Sequence, residues 1–292
     1  FFSLLCMASF PSVAAYSGDE EVFSVADYIS RHGQPLIHNG VLTLKGLTSL
    51  EGLDQIESPH RVTELCLNHN KIQSLKSGVF SRFGNLRVLN MKNNHLNYLK
   101  QGVFRGLARL EVIYLFHNRI KGIDQGVFGD TPKLQELDLG TNLLKAIPEN
   151  QFGGLQDLWR VSLSYNQLTA LPNSLCQGLI NLREIDLSNN QLSYLYSNLF
   201  GSSHEIQKID LSSNHITRIS DQLFRGLLNL HELYLSDNQL REVPRDLFRD
   251  LANLRELSLA NNHIASLPEG VFQNLEDLQK LFLNHNRLAM IG

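Results

Sequence analysis

Cysteine is scarce in this 292-residue chain: there are three, at positions 6, 66 and 176. That is too few for the disulfide framework that holds small secreted domains together. No N-x-S/T sequon occurs despite the many asparagines, so the chain offers no acceptor for N-glycosylation. Charge of one sign is also lacking, since 26 basic and 29 acidic residues leave a net charge of −3. That balance supplies no basic groove for nucleic acid and no reason to invoke an anionic membrane surface. Beyond residue 15 no apolar run approaches the roughly 20 residues needed to span a bilayer.

What the chain has instead is a period. Asn70, Asn94, Asn118, Asn142, Asn166, Asn190, Asn214, Asn238, Asn262 and Asn286 lie 24 residues apart, with no insertion or deletion between them. A fixed spacing of this size is the signature of stacked repeats. Each repeat is numbered from the apolar residue eight before its asparagine, as in residues 86–109, LRVLNMKNNHLNYLKQGVFRGLAR, or 254–277, LRELSLANNHIASLPEGVFQNLED. Positions 1, 4, 6, 11, 14, 19 and 22 are then apolar and position 9 is Asn. Around positions 3 to 5 exposed and buried residues alternate, which is strand periodicity. Position 15 holds Pro148, Pro172, Pro244 and Pro268, where a short helical or 3₁₀ turn begins without needing an N–H donor. The chain turns sharply after the strand, and an amide at position 9 offers donors and an acceptor to the backbone groups left unpaired there. One coil cannot bury its own apolar face, so each depends on its neighbours.

The pattern L-x-x-L-x-L-x-x-N-x-L, with Val, Ile or Met at some leucine places, resembles the leucine-rich repeat family in all ten copies. The phenylalanine at position 19 is similar to the typical 24-residue subclass. The resemblance implies an α/β repeat solenoid over residues 62–292, nine full repeats and a truncated tenth. Its shape would be a horseshoe with a parallel concave β-sheet and short helical, 3₁₀ or irregular convex segments. It also implies a monomeric module without cofactor or metal, binding a protein partner on the concave face. An open, wet face gives no pocket to shift a pKa or exclude water, so an enzyme is not expected.

The ends depart from the repeat. Residues 1–15, FFSLLCMASFPSVAA, read as a signal-peptide remnant, with small Val13 and Ala15 before the cleavage point. Residues 16–61 read as a cap. Within it, residues 21–32, EVFSVADYISRH, place Val22, Val25, Ala26 and Ile29 at helical spacing, and Gly33 and Pro35 end the helix. Residues 41–53 read as a shortened repeat with Leu42, Leu44, Leu47, Leu50 and Leu53 inside. The helix is expected to shield the first strand edge. The stop at position 15 of the tenth repeat reads as a fragment of something longer.

Function is sought where repeats differ. Positions 2, 3, 5, 7 and 8 face the concave side. Position 3 runs Glu136, Arg160, Glu184, Lys208, Glu232, Glu256 and Lys280, a largely self-neutralising ladder across neighbouring strands. At position 5, Asp186 and Asp210 should lie side by side, with Lys208 as their nearest answer. Two carboxylates fall short of a calcium site. Cys66, also at position 5, reads as an exposed and incidental thiol. Cys176 replaces the phenylalanine of position 19, and the two are too far apart to pair. No two histidines stack at one position, so no metal is expected. Thr131 and Ser203 replace the apolar residue of position 22 and should loosen the packing there. The aromatic residues cluster: Tyr114, Phe116, Trp159 and Tyr165, with His117, Asp138 and Arg160 beside them and Tyr234 farther on. Exposed aromatics with Arg dominate protein contact surfaces, and these eight are the candidate partner-binding residues.

Members of the family in animal extracellular proteins usually carry a disulfide-knotted N-terminal cap. Its absence, with that of sequons, favours a bacterial protein, secreted or held at the cell envelope. Two other readings stay open: the targeting region of a larger secreted effector of ubiquitin-ligase type, and a eukaryotic receptor or matrix ectodomain. A downstream domain with a catalytic cysteine would mark the former. A membrane span or cysteine-rich flank would mark the latter.

Overall fold

The computed structural model describes residues 24–289. The signal segment over 1–15, Val22 and the end of the tenth repeat lie outside the described residues. Each repeat contributes one short strand: β3 (Glu64–Cys66), β4 (Val88–Asn90), β6 (Val112–Tyr114), β8 (Glu136–Asp138), β9 (Arg160–Ser162), β10 (Glu184–Asp186), β11 (Lys208–Asp210), β12 (Glu232–Tyr234), β13 (Glu256–Ser258) and β14 (Lys280–Phe282). With β1 (Ile37–His38) and β2 (Val41–Thr43) they form one 12-stranded sheet in chain order. All neighbours are parallel except the β1–β2 hairpin, and like position pairs with like throughout, as in Leu89 with Ile113 and Leu137 with Val161. A period without slips allows no other register, because a one-residue shift would turn the leucines outward. β5 (Tyr98–Leu99) and β7 (Gly122–Ile123) make a separate two-stranded pair.

The asparagine ladder is built as the amide chemistry requires. Asn142 donates from Nδ2 to the carbonyls of Leu115 (3.1 Å) and Leu139 (3.0 Å), while its Oδ1 accepts from the Ile120 N–H at 3.0 Å. One amide therefore closes its own turn and ties it to the preceding coil. A second, exposed ladder escaped the sequence reading: Asn85, Asn181, Asn229 and Asn253 at position 24 each donate to a carbonyl of the previous coil.

The turn after each strand depends on the residue before the ladder asparagine. Position 8 is left-handed in every repeat, from His69 at φ 59° and Thr141 at φ 50° to His285 at φ 57°. Asn and Asp tolerate this region, whereas a β-branched Thr is strained there.

The convex side is less regular than a helix. It runs as successive i to i+3 turns, some of them opened by proline: the N–H of Leu175 bonds the Pro172 carbonyl, and that of Leu247 the Pro244 carbonyl. Glycines with positive φ, such as Gly102 and Gly126, break each turn before a helix propagates. Behind them Phe104, Phe128 and Phe152 stack with ring centroids 5.7 and 6.1 Å apart. Cys176 interrupts the stack; it is a fully buried free thiol, and burial pushes its pKa up to about 12. Thr131 and Ser203 are also fully buried, each satisfied by donating its hydroxyl to a carbonyl, Phe128 at 2.8 Å and Cys176 at 3.4 Å.

Gln151 is less well served. It takes position 18, where neighbouring coils carry Val127 and Leu175. Its Oε1 accepts from the Gly126 N–H at 3.3 Å, but its buried Nε2 has no partner. Gln151→Leu is expected to stabilise the fold by about 1–2 kcal/mol, since an unpaired buried donor costs that much. The measurement is a rise in urea midpoint at unchanged slope; an unchanged or lower midpoint would refute it.

At the N-terminus α1 (Val25–His32) is capped by Ser24, whose hydroxyl accepts from the Asp27 N–H, and ends at Gly33, φ 75°. The helix lies over the shortened repeat, as the sequence implied, while the first strand edge is left to β1. The helix packs on the 3₁₀ turn Leu53–Gln55, where the Ala26 N–H bonds the Glu51 carbonyl and a Cβ on Gly52 would meet Ala26 N at 2.6 Å. The edge is covered by β1, because antiparallel addition satisfies its backbone groups and a helix would not.

Candidate functional site

The strand face exposed on the concave side is set by alternation: positions 4 and 6 go inward, positions 3, 5 and 7 outward. The charge ladder of position 3 forms as ion pairs. Arg160 bridges Glu136 at 2.6 Å and Glu184 at 3.2 Å. Lys208 holds Glu232 and Lys280 holds Glu256, both at 2.8 Å. Solvent screens most of these pairs, so their main effect here is to fix side-chain geometry.

Asp186 and Asp210 do lie side by side on β10 and β11. Lys208 answers Asp210 by charge, but more weakly than the local serine does. Each carboxylate accepts from the serine two residues on: Asp186 from the Ser188 N–H and Oγ at 3.0 and 2.7 Å, Asp210 from those of Ser212 at 2.9 and 2.6 Å. Asp138 accepts from the Gly140 N–H at 2.9 Å. The D-L-S and D-L-G triplets were the visible signal for these turns. Burial raises the pKa of Asp138, Asp210 and Glu64 above the usual carboxylate range. Glu232 moves the other way, lowered by its hydrogen bond from Lys208.

The aromatic residues are placed unequally. Tyr114 is half-buried beside Asp138, donates to Glu136 at 3.2 Å and has its pKa pushed up to about 12 by burial and by Glu136. It thereby joins Glu136, Arg160 and Glu184 in one chain of contacts. Phe116 lies under the Lys92 ammonium, 5.5 Å from the ring centroid. Trp159 stands half-buried at the rim ahead of β9, its backbone N–H bonded to the Gln135 carbonyl. Tyr165 and His117 occupy left-handed turn positions, and Tyr165 is 60% exposed. No ring contact among the described residues joins Trp159 or Tyr165 to Tyr114 or Phe116. The expected patch is therefore a row of separate anchors, with β8 lying between Tyr114 and β9. Tyr234 lies two strands from Phe282, donates to Glu232 at 3.1 Å and carries Lys208 5.3 Å from its ring centroid.

Cys66 corrects the sequence reading. It is 2% exposed and disulfide-bonded, so it is not an exposed thiol. Its neighbour Glu64 is buried as well. The exposed pair Tyr194 and Tyr196, T-shaped with centroids 5.4 Å apart, was missed. Its signal was the Y-x-Y spacing on the turn side of the repeat. Among the described residues no group of three or more His, Cys, Asp or Glu converges for a metal, and no helix is long and apolar enough to cross a membrane.

A family model described as leucine rich repeat matches residues 60–120, 109–168, 158–216, 204–264 and 252–291. A search of curated proteins returns no match. Among solved structures, the TLR13–ssRNA13 complex aligns with TM-score 0.71 and 30% identity over 86% of this chain and 40% of that chain. A leucine-rich repeat protein of Leptospira interrogans aligns with TM-score 0.66 and 26% identity, covering 84% and 66%. The Toll–Spatzle complex of Drosophila aligns with TM-score 0.66 and 25% identity, covering 78% and 33%. The chain spans no more than 66% of any of these three.

Proposed function

The chain belongs to the leucine-rich repeat family, and from that premise we propose that it is a non-catalytic module, exported from a bacterium, that binds a protein partner on its concave face. Solved relatives of this fold include complexes with protein and with RNA ligands. The net charge of −3 favours protein over nucleic acid here. The disulfide at Cys66 supports an oxidising compartment outside the cytoplasm, and the lack of sequons supports a bacterial source.

The observation that carries the reading is the chain of contacts Tyr114–Glu136–Arg160–Glu184 on the open side of the sheet. A hydrogen bond to Glu136 holds the Tyr114 ring, and ion pairs hold the Arg160 guanidinium, before any partner arrives. Anchors fixed in advance lose less rotamer entropy on binding. Phe116, His117, Asp138, Trp159, Tyr165 and Tyr234 extend the same surface along the solenoid.

The test is affinity capture with the intact chain against Tyr114→Ala, Phe116→Ala and Trp159→Ala. A captured protein should be reduced at least about tenfold by one or more of them, as for interface hot spots, with thermal melting unchanged. Equal capture by all three would remove the reading.

A further inference from the structure

A recess of about 310 Å³ opens on the concave face between β12 and β14. Tyr234, Ser258 and Phe282 hold equivalent places on three successive strands. The two rings therefore flank a floor made by small Ser258 and Ala260, both 7% exposed. Two strand spacings separate the rings' backbones by roughly 9.6 Å. That backbone spacing is of the order that lets a cation set between two side chains meet both rings within the roughly 6 Å over which it is drawn to an aromatic face.

The charges around the recess are mostly spoken for. Glu232 is held by Lys208 and Glu256 by Lys280. Asp237, which also lines the recess, forms no ion pair among the described residues. Lys208, which stands on β11, lies 5.3 Å from the Tyr234 ring centroid, whereas the residues lining the recess stand at and just after the ends of β12, β13 and β14. The same face uses a cation–ring contact again at Lys92 and Phe116.

We propose that this recess receives an arginine side chain of the protein partner, its guanidinium between Tyr234 and Phe282 and paired with Asp237. This rests on the reading that a protein binds the concave face. Arginine suits the slot better than lysine because its planar fork stacks on rings and bonds a carboxylate through two N–H groups at once. Aromatic walls with polar rims also suit sugars, but a sugar leaves the Asp237 charge unanswered.

The experiment titrates N-acetyl-arginine amide into the full chain by ligand-observed NMR, beside N-acetyl-citrulline amide and maltotriose. The arginine probe should bind about tenfold tighter than its uncharged isostere, the scale of one charge-assisted contact. Asp237→Asn should erase that difference with unchanged melting, since Asn189 and Asn261 already adopt the same left-handed turn. Phe282→Leu should weaken the arginine probe without lowering stability. Equal binding of the citrulline probe, preference for maltotriose, or an unaltered Asp237→Asn variant overturns the proposal. Partner capture lost with Tyr114→Ala but kept with Asp237→Asn also overturns it, while the concave-face reading stands. The reverse pattern supports the recess and removes the Tyr114 patch.

Discussion

Asn166→Ala should lower the unfolding free energy by about 2–4 kcal/mol, a large effect for one residue on the inner turn. Asn166 donates to the carbonyls of Leu139, Leu163 and Ser164 at 3.0, 3.1 and 3.2 Å, and accepts from the Leu144 N–H at 2.9 Å. The two leucine carbonyls keep a second amide each, from Asn142 and Asn190. The Leu144 N–H keeps nothing. One stranded donor and three weakened acceptors set the cost, since an unsatisfied buried group is worth about 1–3 kcal/mol. Asn166→Asp should be at least as damaging at neutral pH, because it preserves the acceptor and aims a charged oxygen at carbonyls. Urea unfolding of both variants provides the check, with hydrogen exchange at Leu144 as a local reading. An alanine variant within about 0.5 kcal/mol of the parent, the range of an ordinary surface change, would show that water replaces the amide without loss.

Phe128→Ala should cost about 3–5 kcal/mol, the usual toll of emptying a packed aromatic site. Phe128 is 1% exposed and stands between Phe104 and Phe152, so its removal opens both ring contacts. Phe272→Ala should cost clearly less. Phe272 is half-buried and its ring contact is with Phe248 at 6.0 Å. The comparison separates a stacked spine from a set of independent side chains. Equal costs in chemical denaturation would mean that the stacking adds nothing.

The architecture was legible because the period is strict. Ten coils of equal length must pair position with position, and the inward leucines admit one register. The ladder asparagines were legible for the same reason, since an amide is the side chain that offers both kinds of partner. Position 8 was harder to read. His69, Asn93, Thr141 and Tyr165 share no chemistry, yet all take the same left-handed turn. The geometry is imposed by the coil and not by the residue. Gln151 was overlooked although its place in the coil, apolar in Val127 and Leu175, marked it as inward, and Cys66 was misplaced because burial on the strand face depends on tertiary packing. The position 5 aspartates looked like a charge problem awaiting Lys208; Lys208 meets Asp210 only in part, and the local serines do the rest.

The sites are where the chain's own text runs shortest. That Tyr114, Trp159 and Arg160 differ from their counterparts in other coils could be seen at once. That Arg160 is clamped by two carboxylates, that Trp159 sits at the rim, and that Tyr234 and Phe282 frame a recess could not. The sequence alone determined which side of each coil is apolar, how long each coil is and how coils align, because those follow from covalent spacing and the need to bury leucine. Only the tertiary structure decided which charges meet, which rings stay open and which strand end is covered. Those outcomes turn on distances of a few ångströms, mostly between residues about one coil length apart, set by the strand spacing and not by adjacency in the chain.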